Sequence, residues 1–292
     1  MTTIAFVGVG AMGAPMATNL LAAGFTLRVY NRNAKRAEPL KEKGAVLCAS
    51  PAEAAAGAQF VVSMVADDVA TREVMLGERG VLAGAAAGTV IVDSSTNTPA
   101  MSREVASAAA ARGCSYLDSP VSGSLAQARG KELVFMVGGE KAAFDAAQPL
   151  YSAMGRMSKL MGGPGAGATI KLVNNMLSGA VNAAIAEAMS VAEAAGLDPA
   201  AAQEILNEGA AASRLTRSKM EKIRARDFSP QFQLALMEKD LRYFLSLAQD
   251  VDRPAPLTSL VRSQMQAARR ADLGGLDVSA IFLYASGERP RG

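Results

Sequence analysis

The sequence contains no histidine, so it lacks the side chain that most often serves as a general base or a metal ligand. Any proton transfer must therefore fall to lysine, aspartate, glutamate, tyrosine or cysteine. Cysteine is also scarce, since Cys48 and Cys114 are the two in the chain and form neither a CxxC motif nor a metal-binding spacing. We expect no metal site and a reduced, cytoplasmic protein.

A strong charge of one sign is missing as well. The formal net charge is +3 over 292 residues, with acidic and basic residues mixed along the chain, which is too weak to indicate a nucleic-acid or membrane-surface partner. Residues 4–27 carry no charged side chain and are long enough to span a bilayer. Glycines and a proline interrupt them, however, and their periodicity changes from strand-like to helix-like. We expect a strand, a turn and a helix there, and no membrane span.

The first half of the chain alternates short apolar runs with alanine-rich stretches of helical periodicity. Several runs are β-branched and apolar throughout, as expected of parallel strands covered on both faces. Ser50-Pro51 and Thr98-Pro99 each combine an N-cap residue with proline at the first helical position, which predicts two helix starts. The alternation predicts a doubly wound α/β sheet. The predicted strands are 4–9, 26–30, 45–47, 60–64, 90–93, 115–117 and 133–137.

The glycine-rich segment 162–167 predicts a domain boundary. We expect an N-terminal α/β domain over 1–163 and a C-terminal domain over 164–292. A long interdomain helix should open the second domain, from about Ala168 to Ala195, and end at Gly196. No convincing strand follows, so the second domain should be all-α.

A glycine motif follows the first predicted strand and opens a helical stretch. Gly8, Gly10 and Gly13, with Ala11 and Met12 between them, form G-x-G-x-x-G. In this context the motif predicts a Rossmann-type dinucleotide site, in which the helix amides bind the diphosphate. The alternative is an ordinary strand–helix turn with incidental glycines.

The second predicted strand ends with Asn31 and Arg32, where a site specific for NAD usually has an acidic residue. A carboxylate there would repel a 2′-phosphate, whereas a guanidinium binds one bidentately. We therefore expect NADP(H) to be preferred and NAD(H) to remain possible. The alternative is a solvated basic helix start.

The long helix carries a polar stripe with very little charge. Lys171, Asn174, Asn175, Ser178 and Asn182 share one face by their spacing. A partly buried lysine can have a pKa lowered toward neutrality, so Lys171 is the leading candidate for a general acid and base. The alternative is interhelical hydrogen bonding around a lysine whose ammonium reaches solvent.

Together these motifs resemble the β-hydroxyacid dehydrogenases, which include 3-hydroxyisobutyrate dehydrogenase, tartronate semialdehyde reductase and the glyoxylate/succinic semialdehyde reductases. The resemblance covers nearly the whole chain. Its blocks are FVGVGAMGAPMATNL at 6–20, DSST at 93–96, DSPVSG at 118–123, GAGATIKLVNN at 165–175 and KDL at 239–241.

The resemblance implies a role for each block. Lys171 would be the acid and base, Ser122 and Gly123 would hold the substrate carboxylate, and Asn174 and Asn175 would orient the substrate or the lysine. The implied cofactor contacts outside the glycine motif are Asn31, Arg32, Met64, Val65, Thr96 and Lys239.

The implied function is hydride transfer between a nicotinamide cofactor and a short β- or γ-hydroxy acid or its semialdehyde. Candidate substrates include glyoxylate and the succinic, methylmalonate and tartronate semialdehydes. The family commonly has a second glycine where this chain has Ser124, which either narrows the pocket, adds a hydroxyl contact or is a tolerated surface serine. The rivals are an imine reductase on the same scaffold, which usually lacks the lysine, and a non-catalytic dinucleotide-binding protein. The apolar second domain indicates a homodimer or homotetramer.

Overall fold

The computed structural model describes residues 2–289, which divide into two compact units. The first unit ends at Lys171 and the second begins at Leu172, so one long helix starts in the first unit and continues in the second.

The first unit alternates strands and helices along the chain. Its strands are β1 (Thr3–Val7), β2 (Thr26–Tyr30), β3 (Val46–Leu47), β4 (Phe60–Ser63), β5 (Val90–Asp93), β6 (Ser115–Asp118), β7 (Val121–Ser122), β8 (Leu133–Gly138) and β9 (Gly155–Gly162). Its helices are α1 (Gly13–Ala22), α2 (Glu38–Lys41), α3 (Pro51–Ala55), α4 (Asp68–Leu76), α5 (Val81–Gly84), α6 (Pro99–Ala110), α7 (Leu125–Arg129), α8 (Lys141–Ala146) and α9 (Gln148–Met154), with a 3-10 turn at Ala34–Arg36.

These strands form one sheet in the order β3-β2-β1-β4-β5-β6-β8-β7, and β9 pairs with β8. Strands β1 to β6 are parallel neighbours, whereas β8 runs antiparallel to β6 and β7. The parallel part has the strand order of a dinucleotide-binding Rossmann domain, which confirms the predicted fold class.

The sheet is covered on both faces, because alternate residues of its central strands enter different cores. In β1, Ile4 and Phe6 pack into one apolar cluster with α1 and α9. Ala5 and Val7 pack into another with α3 and α6. Both faces of β1 are therefore buried, which explains why its residues do not alternate between apolar and polar.

The predicted bounds of β2 and β5 are confirmed, as are the side-chain caps of Ser50 and Thr98. The prediction missed β7 and β9. Strand β9 contains Arg156 and Lys159 and is largely exposed at the sheet edge, so it has no apolar run to mark it.

The second unit is helical within the described residues, with one isolated β-bridge between Gln233 and Asp277. Its helices surround an apolar core of their own that includes Met189, Leu241 and Phe282. The long helix predicted to begin near Ala168 begins two residues earlier. The helices are α10 (Ala166–Ala194), α11 (Pro199–Glu208), α12 (Arg214–Ala225), α13 (Leu234–Asp250), α14 (Pro256–Ala268) and α15 (Ile281–Ser286), with short turns at Arg269–Leu273 and Val278–Ala280. Over residues 2–289, no helix is apolar and long enough to cross a membrane.

Candidate active site

The strand order reverses between β1 and β4, and this reversal defines where a ligand would bind the first unit. In open α/β sheets, ligands bind beyond the carboxyl ends of the strands at such a point. Gly8–Gly13 follows β1 there, and Met64 and Val65 follow β4. The sheet therefore brings together the predicted glycine motif and two of the predicted cofactor contacts.

The three motif glycines differ in the space around them. Gly8 has φ +95°, and a side chain on it would overlap the carbonyl oxygen of Met64. A side chain on Gly13 would overlap the carbonyl oxygen of Gly8. A methyl group on Gly10, by contrast, would find no atom of the described chain beyond its immediate neighbours within 4 Å. Gly8 and Gly13 are thus required by packing, whereas Gly10 leaves open space.

That open space suits the diphosphate of a dinucleotide. Within the described chain, no side chain caps the first turn of α1 and no acidic residue lies in it. Uncapped amides at a helix N-terminus attract and bind phosphate. The residues that would hold NAD(P) there are those of the glycine turn, from Gly10 to Gly13.

Asn31 supports the glycine turn from the end of β2. Its Oδ1 accepts a hydrogen bond from the Val9 amide at 3.0 Å, and its Nδ2 donates to the carbonyl of Asn33 at 2.8 Å. Both ends of the Asn31 amide are thus engaged by backbone. The neighbouring Arg32 is exposed and forms no ion pair with any residue in 2–289.

A buried carboxylate at the end of β5, Asp93, organises the loops after β4 and β5. Its side chain accepts hydrogen bonds from the Ser63 hydroxyl at 2.7 Å and from the Ser95 amide at 3.0 Å. The Ser95 hydroxyl in turn accepts from the Val65 amide at 2.9 Å. Asp93 also accepts from the Asn97 side chain and the Tyr116 hydroxyl, each at 2.9 Å. The loop that it holds contains Thr96, which is partly buried.

A second buried carboxylate, Asp118 at the end of β6, caps the start of α10. Its Oδ1 accepts from the Gly165 amide and its Oδ2 from the Ala168 amide, both at 2.8 Å. Burial raises the pKa of Asp118 to about 6, although these amide hydrogen bonds oppose the shift. Lys171 follows Ala168 by one helical turn and is 9% exposed.

The predicted substrate loop follows β6 directly. Ser122 ends β7 and is partly buried, and Gly123 has φ +135° with Gln127 and Leu133 too close to admit a side chain. Both the amide and the hydroxyl of Ser124 donate to Gln127 Oε1, at 2.9 and 2.6 Å. Both polar groups of Ser124 are therefore bonded to Gln127 at the start of α7, and the hydroxyl stabilises the loop.

In the second unit, the predicted asparagines connect to α13. Asn174 Nδ2 donates to Asn175 Oδ1 at 3.0 Å, and Asn175 Nδ2 donates to Asp240 Oδ2 at 2.6 Å. Lys239 Nζ lies 3.2 Å from Asp240 Oδ1 and 5.0 Å from the ring centre of Tyr243. Asp240 thus joins the asparagine pair of α10 to the predicted cofactor lysine.

The remaining members of the polar stripe bond to their own helix. The Ser178 hydroxyl donates to the Asn174 carbonyl at 3.0 Å, and Asn182 Nδ2 donates to the Ser178 carbonyl at 2.7 Å. Each of these two side chains bonds a carbonyl of its own helix, whereas Asn174 and Asn175 are the members that lead to Asp240.

Sequence reasoning did not assign roles to Asp93, Asp118 or Asp240, although all three lie in motifs that it singled out. The usable signal was an acidic residue ending an apolar strand, as in β5 and β6, because a carboxylate there becomes buried and must find donors.

Comparison with known proteins agrees with this architecture. Residues 3–163 match the family described as the NAD binding domain of 6-phosphogluconate dehydrogenase. Residues 165–285 match the family described as NAD-binding of NADP-dependent 3-hydroxyisobutyrate dehydrogenase. The two matches define a dinucleotide-dependent dehydrogenase of two domains.

The chain is 38% identical to 3-sulfolactaldehyde reductase of Escherichia coli K12, over 97% of this chain and 95% of that protein. It is also 38% identical to 3-hydroxyisobutyrate dehydrogenase of Pseudomonas aeruginosa, over 96% and 97%. The solved structure of Mycobacterium tuberculosis 3-hydroxyisobutyrate dehydrogenase with L-serine superposes with TM-score 0.88 at 33% identity, covering 97% of this chain and 98% of that one. The chain belongs to the β-hydroxyacid dehydrogenase family, which comprises NAD(P)-dependent oxidoreductases of hydroxy acids and semialdehydes.

The difference between Gly10 and Gly13 gives a paired prediction. Gly10→Ala should melt within about 2 °C of the wild type, because its methyl group enters open space, but should bind NADPH at least about tenfold more weakly. Gly13→Ala should lose about 1–3 kcal/mol of stability through overlap with the Gly8 carbonyl.

Thermal unfolding and titration of the fluorescence of NADPH measure both effects. A Gly10→Ala protein that binds NADPH as tightly as the wild type would show that the dinucleotide does not approach this turn.

Proposed function

We propose that the protein interconverts a short hydroxy acid and its aldehyde with NADP(H), using Lys171 as the general acid and base. The observation that supports this most is the near-complete burial of Lys171, one turn beyond a helix start that Asp118 holds. A bound nicotinamide supplies or accepts hydride at the substrate carbon. In the reductive direction the ammonium of Lys171 gives one proton to the carbonyl oxygen, which becomes the hydroxyl, and the reverse reaction returns that proton to the amine.

The substrate carboxylate would bind the loop of Ser122 and Gly123, where backbone amides and a hydroxyl can hold an anion without arginine. Asn174 and Asn175 would orient the substrate or the lysine amine. Met64, Val65 and Thr96 would line the nicotinamide, and Lys239 would contact the cofactor. We assign dinucleotide binding to residues 1–163 and substrate binding with assembly to residues 164–292.

The names of the relatives narrow the class of substrate. 3-Sulfolactaldehyde carries a sulfonate with a terminal aldehyde, and 3-hydroxyisobutyrate and L-serine each carry a carboxylate with a terminal CH2OH. We infer that this chain also acts on a terminal alcohol or aldehyde of a small anion. This favours semialdehydes over ketones.

The preference for NADP(H) rests on the end of β2. Asn31 puts no negative charge there, and Arg32 is exposed without an ion pair in the described part of the chain. A guanidinium that is free to reorient can bind a 2′-phosphate.

Lys171→Ala should lower kcat by about 100- to 10,000-fold, because the proton donor is lost, while the Kd of NADPH stays within about twofold of the wild type. NADPH oxidation should be followed with glyoxylate, 3-sulfolactaldehyde and the succinic, methylmalonate and tartronate semialdehydes. Lys159→Ala, an exposed lysine on the edge strand β9, is the matched control and should retain wild-type kcat.

Two outcomes would contradict the proposal. One is unchanged kcat in Lys171→Ala with the best aldehyde. The other is reduction of cyclic imines that survives Lys171→Met, which would identify an imine reductase instead. NADPH binding without turnover of any carbonyl compound would support the non-catalytic rival.

Arg32→Ala should raise the KM for NADPH by about 10- to 100-fold through loss of a charge-assisted contact, and should leave the KM for NADH nearly unchanged. The NADH value serves as the internal control. Equal kcat/KM for the two cofactors in the wild type would contradict the preference for NADP(H).

We also propose self-association as a homodimer or homotetramer in the cytoplasm, where the two free cysteines would stay reduced. Within its described residues, the second unit exposes nine large apolar side chains, and exposed apolar surface is where subunits of an oligomer can meet. They are Leu177, Val191, Leu197, Ile205, Leu206, Val251, Leu257, Leu260 and Tyr284. Light scattering coupled to size-exclusion chromatography should give at least twice the chain mass of 30.1 kDa, and a monomer at micromolar concentration would refute the proposal.

A further inference from the structure

The strands β5 and β6 end side by side on buried carboxylates. Asp93 and Asp118 are register partners in the parallel pairing of these strands, and they are 1% and 2% exposed. We propose that these two carboxylates position different parts of the active site. Asp118 positions the helix that carries the proton donor Lys171, and Asp93 positions the loops that receive the cofactor. This proposal rests on the proposed function, since it assigns positioning residues to that reaction.

The contact of Asp118 with α10 leaves little freedom. The two carboxylate oxygens receive amides three residues apart, Gly165 and Ala168, so they fix both the height and the rotation of the first helical turn. The surrounding backbone is also close to this turn. A side chain on Gly167 would overlap the carbonyls of Asp118 and Met136, so the helix start rests directly on the strand ends.

The position of Lys171 follows from that helix start. The Cα–Cβ bond of a helical residue tilts toward the helix N-terminus, so the Lys171 side chain leaves the second turn in the direction of the turn that Asp118 holds. Misplacement of a catalytic group by about 1 Å can cost about 100-fold in rate. A small shift of the first turn would therefore affect proton transfer far more than cofactor binding.

Asp93 acts on different segments. Its oxygens accept hydrogen bonds from the Ser63 hydroxyl, the Ser95 amide and the Asn97 side chain. The Ser95 hydroxyl in turn accepts one from the Val65 amide. These contacts hold the loops that contain Val65 and Thr96, the predicted nicotinamide contacts. Loss of the Asp93 charge should therefore weaken cofactor binding first.

The Asp118 carboxylate is buried at a desolvation cost. Burial disfavours its charged form and raises its pKa to about 6, so a neutral side chain of the same size would relieve that cost. A carboxylate has two acceptor oxygens for the two amides, whereas an amide side chain has one. Asp118→Asn therefore leaves one of the two amides without an acceptor, and its thermal unfolding is measured beside kcat so that loss of the helix contact is distinguished from general destabilisation.

Asp118→Asn should lower kcat by about 10- to 100-fold and keep the Kd of NADPH within about twofold. Asp93→Asn, the matched change one strand away, should weaken NADPH binding by about tenfold or more. If Asp118→Asn does not fold, Asp118→Ser, which keeps one oxygen acceptor, takes its place with the same expectation.

Hydrogen exchange tests the contact without turnover. Amides of the peptide covering 163–171 should exchange faster in Asp118→Asn and at the wild-type rate in Asp93→Asn. This result stands even if the wild type reduces none of the aldehydes, so failure of the proposed function is distinguishable from failure of this inference. Unchanged exchange in Asp118→Asn overturns the inference. Equal losses of kcat and NADPH affinity in both variants also overturn it, because they indicate general weakening of the sheet.

Discussion

The close approach of α1 to the end of β1 is the constraint on which the rest of the site depends. No side chain fits between Gly13 and the Gly8 carbonyl, and Gly8 itself needs a positive φ to turn beside Met64. These contacts place a helix N-terminus at the point where the strand order reverses. The first turn of α1 has no side-chain cap and Gly10 leaves open space beside it, an arrangement suited to binding an anion with backbone amides alone.

Buried carboxylates complete the strand ends, and each is surrounded by donors. Asp93 gathers hydroxyl, amide and side-chain donors from the loops after β4 and β5, and Asp118 gathers the amides that begin α10. Asp240 plays a similar part in the second unit, between Asn175 and Lys239. Buried charges of this kind are tolerated only when donors surround them, so each one fixes the segments that supply those donors. A chain without histidine thus uses buried acids to fix the segments that carry its candidate site residues.

Much of the fold could be predicted from the sequence, because an apolar β-branched run marks β5, alternating apolar residues mark β2, and proline follows an N-cap residue at α3 and α6. Strand β9 could not be predicted, because an exposed edge strand with Arg156 and Lys159 has no distinctive apolar pattern. The glycine motif and Lys171 stood out locally. The hydrogen bonds from the start of α10 to Asp118 could not be found in a local pattern, because their donors lie 47 and 50 residues further along the chain. Asn31 was predicted as a cofactor contact, and the structure adds hydrogen bonds of its side-chain amide to the backbone of Val9 and Asn33 that the sequence did not indicate.

The central claim is that one buried lysine exchanges a proton with the oxygen of a small anionic substrate while the α1 turn holds the dinucleotide. A crystal structure of the wild type with NADP⁺ and 3-hydroxyisobutyrate tests it most directly. We expect the diphosphate on the amides of Gly10 to Gly13 and the substrate hydroxyl about 3 Å from Lys171 Nζ. A substrate bound elsewhere, or a hydroxyl out of hydrogen-bonding reach of that amine, would contradict it.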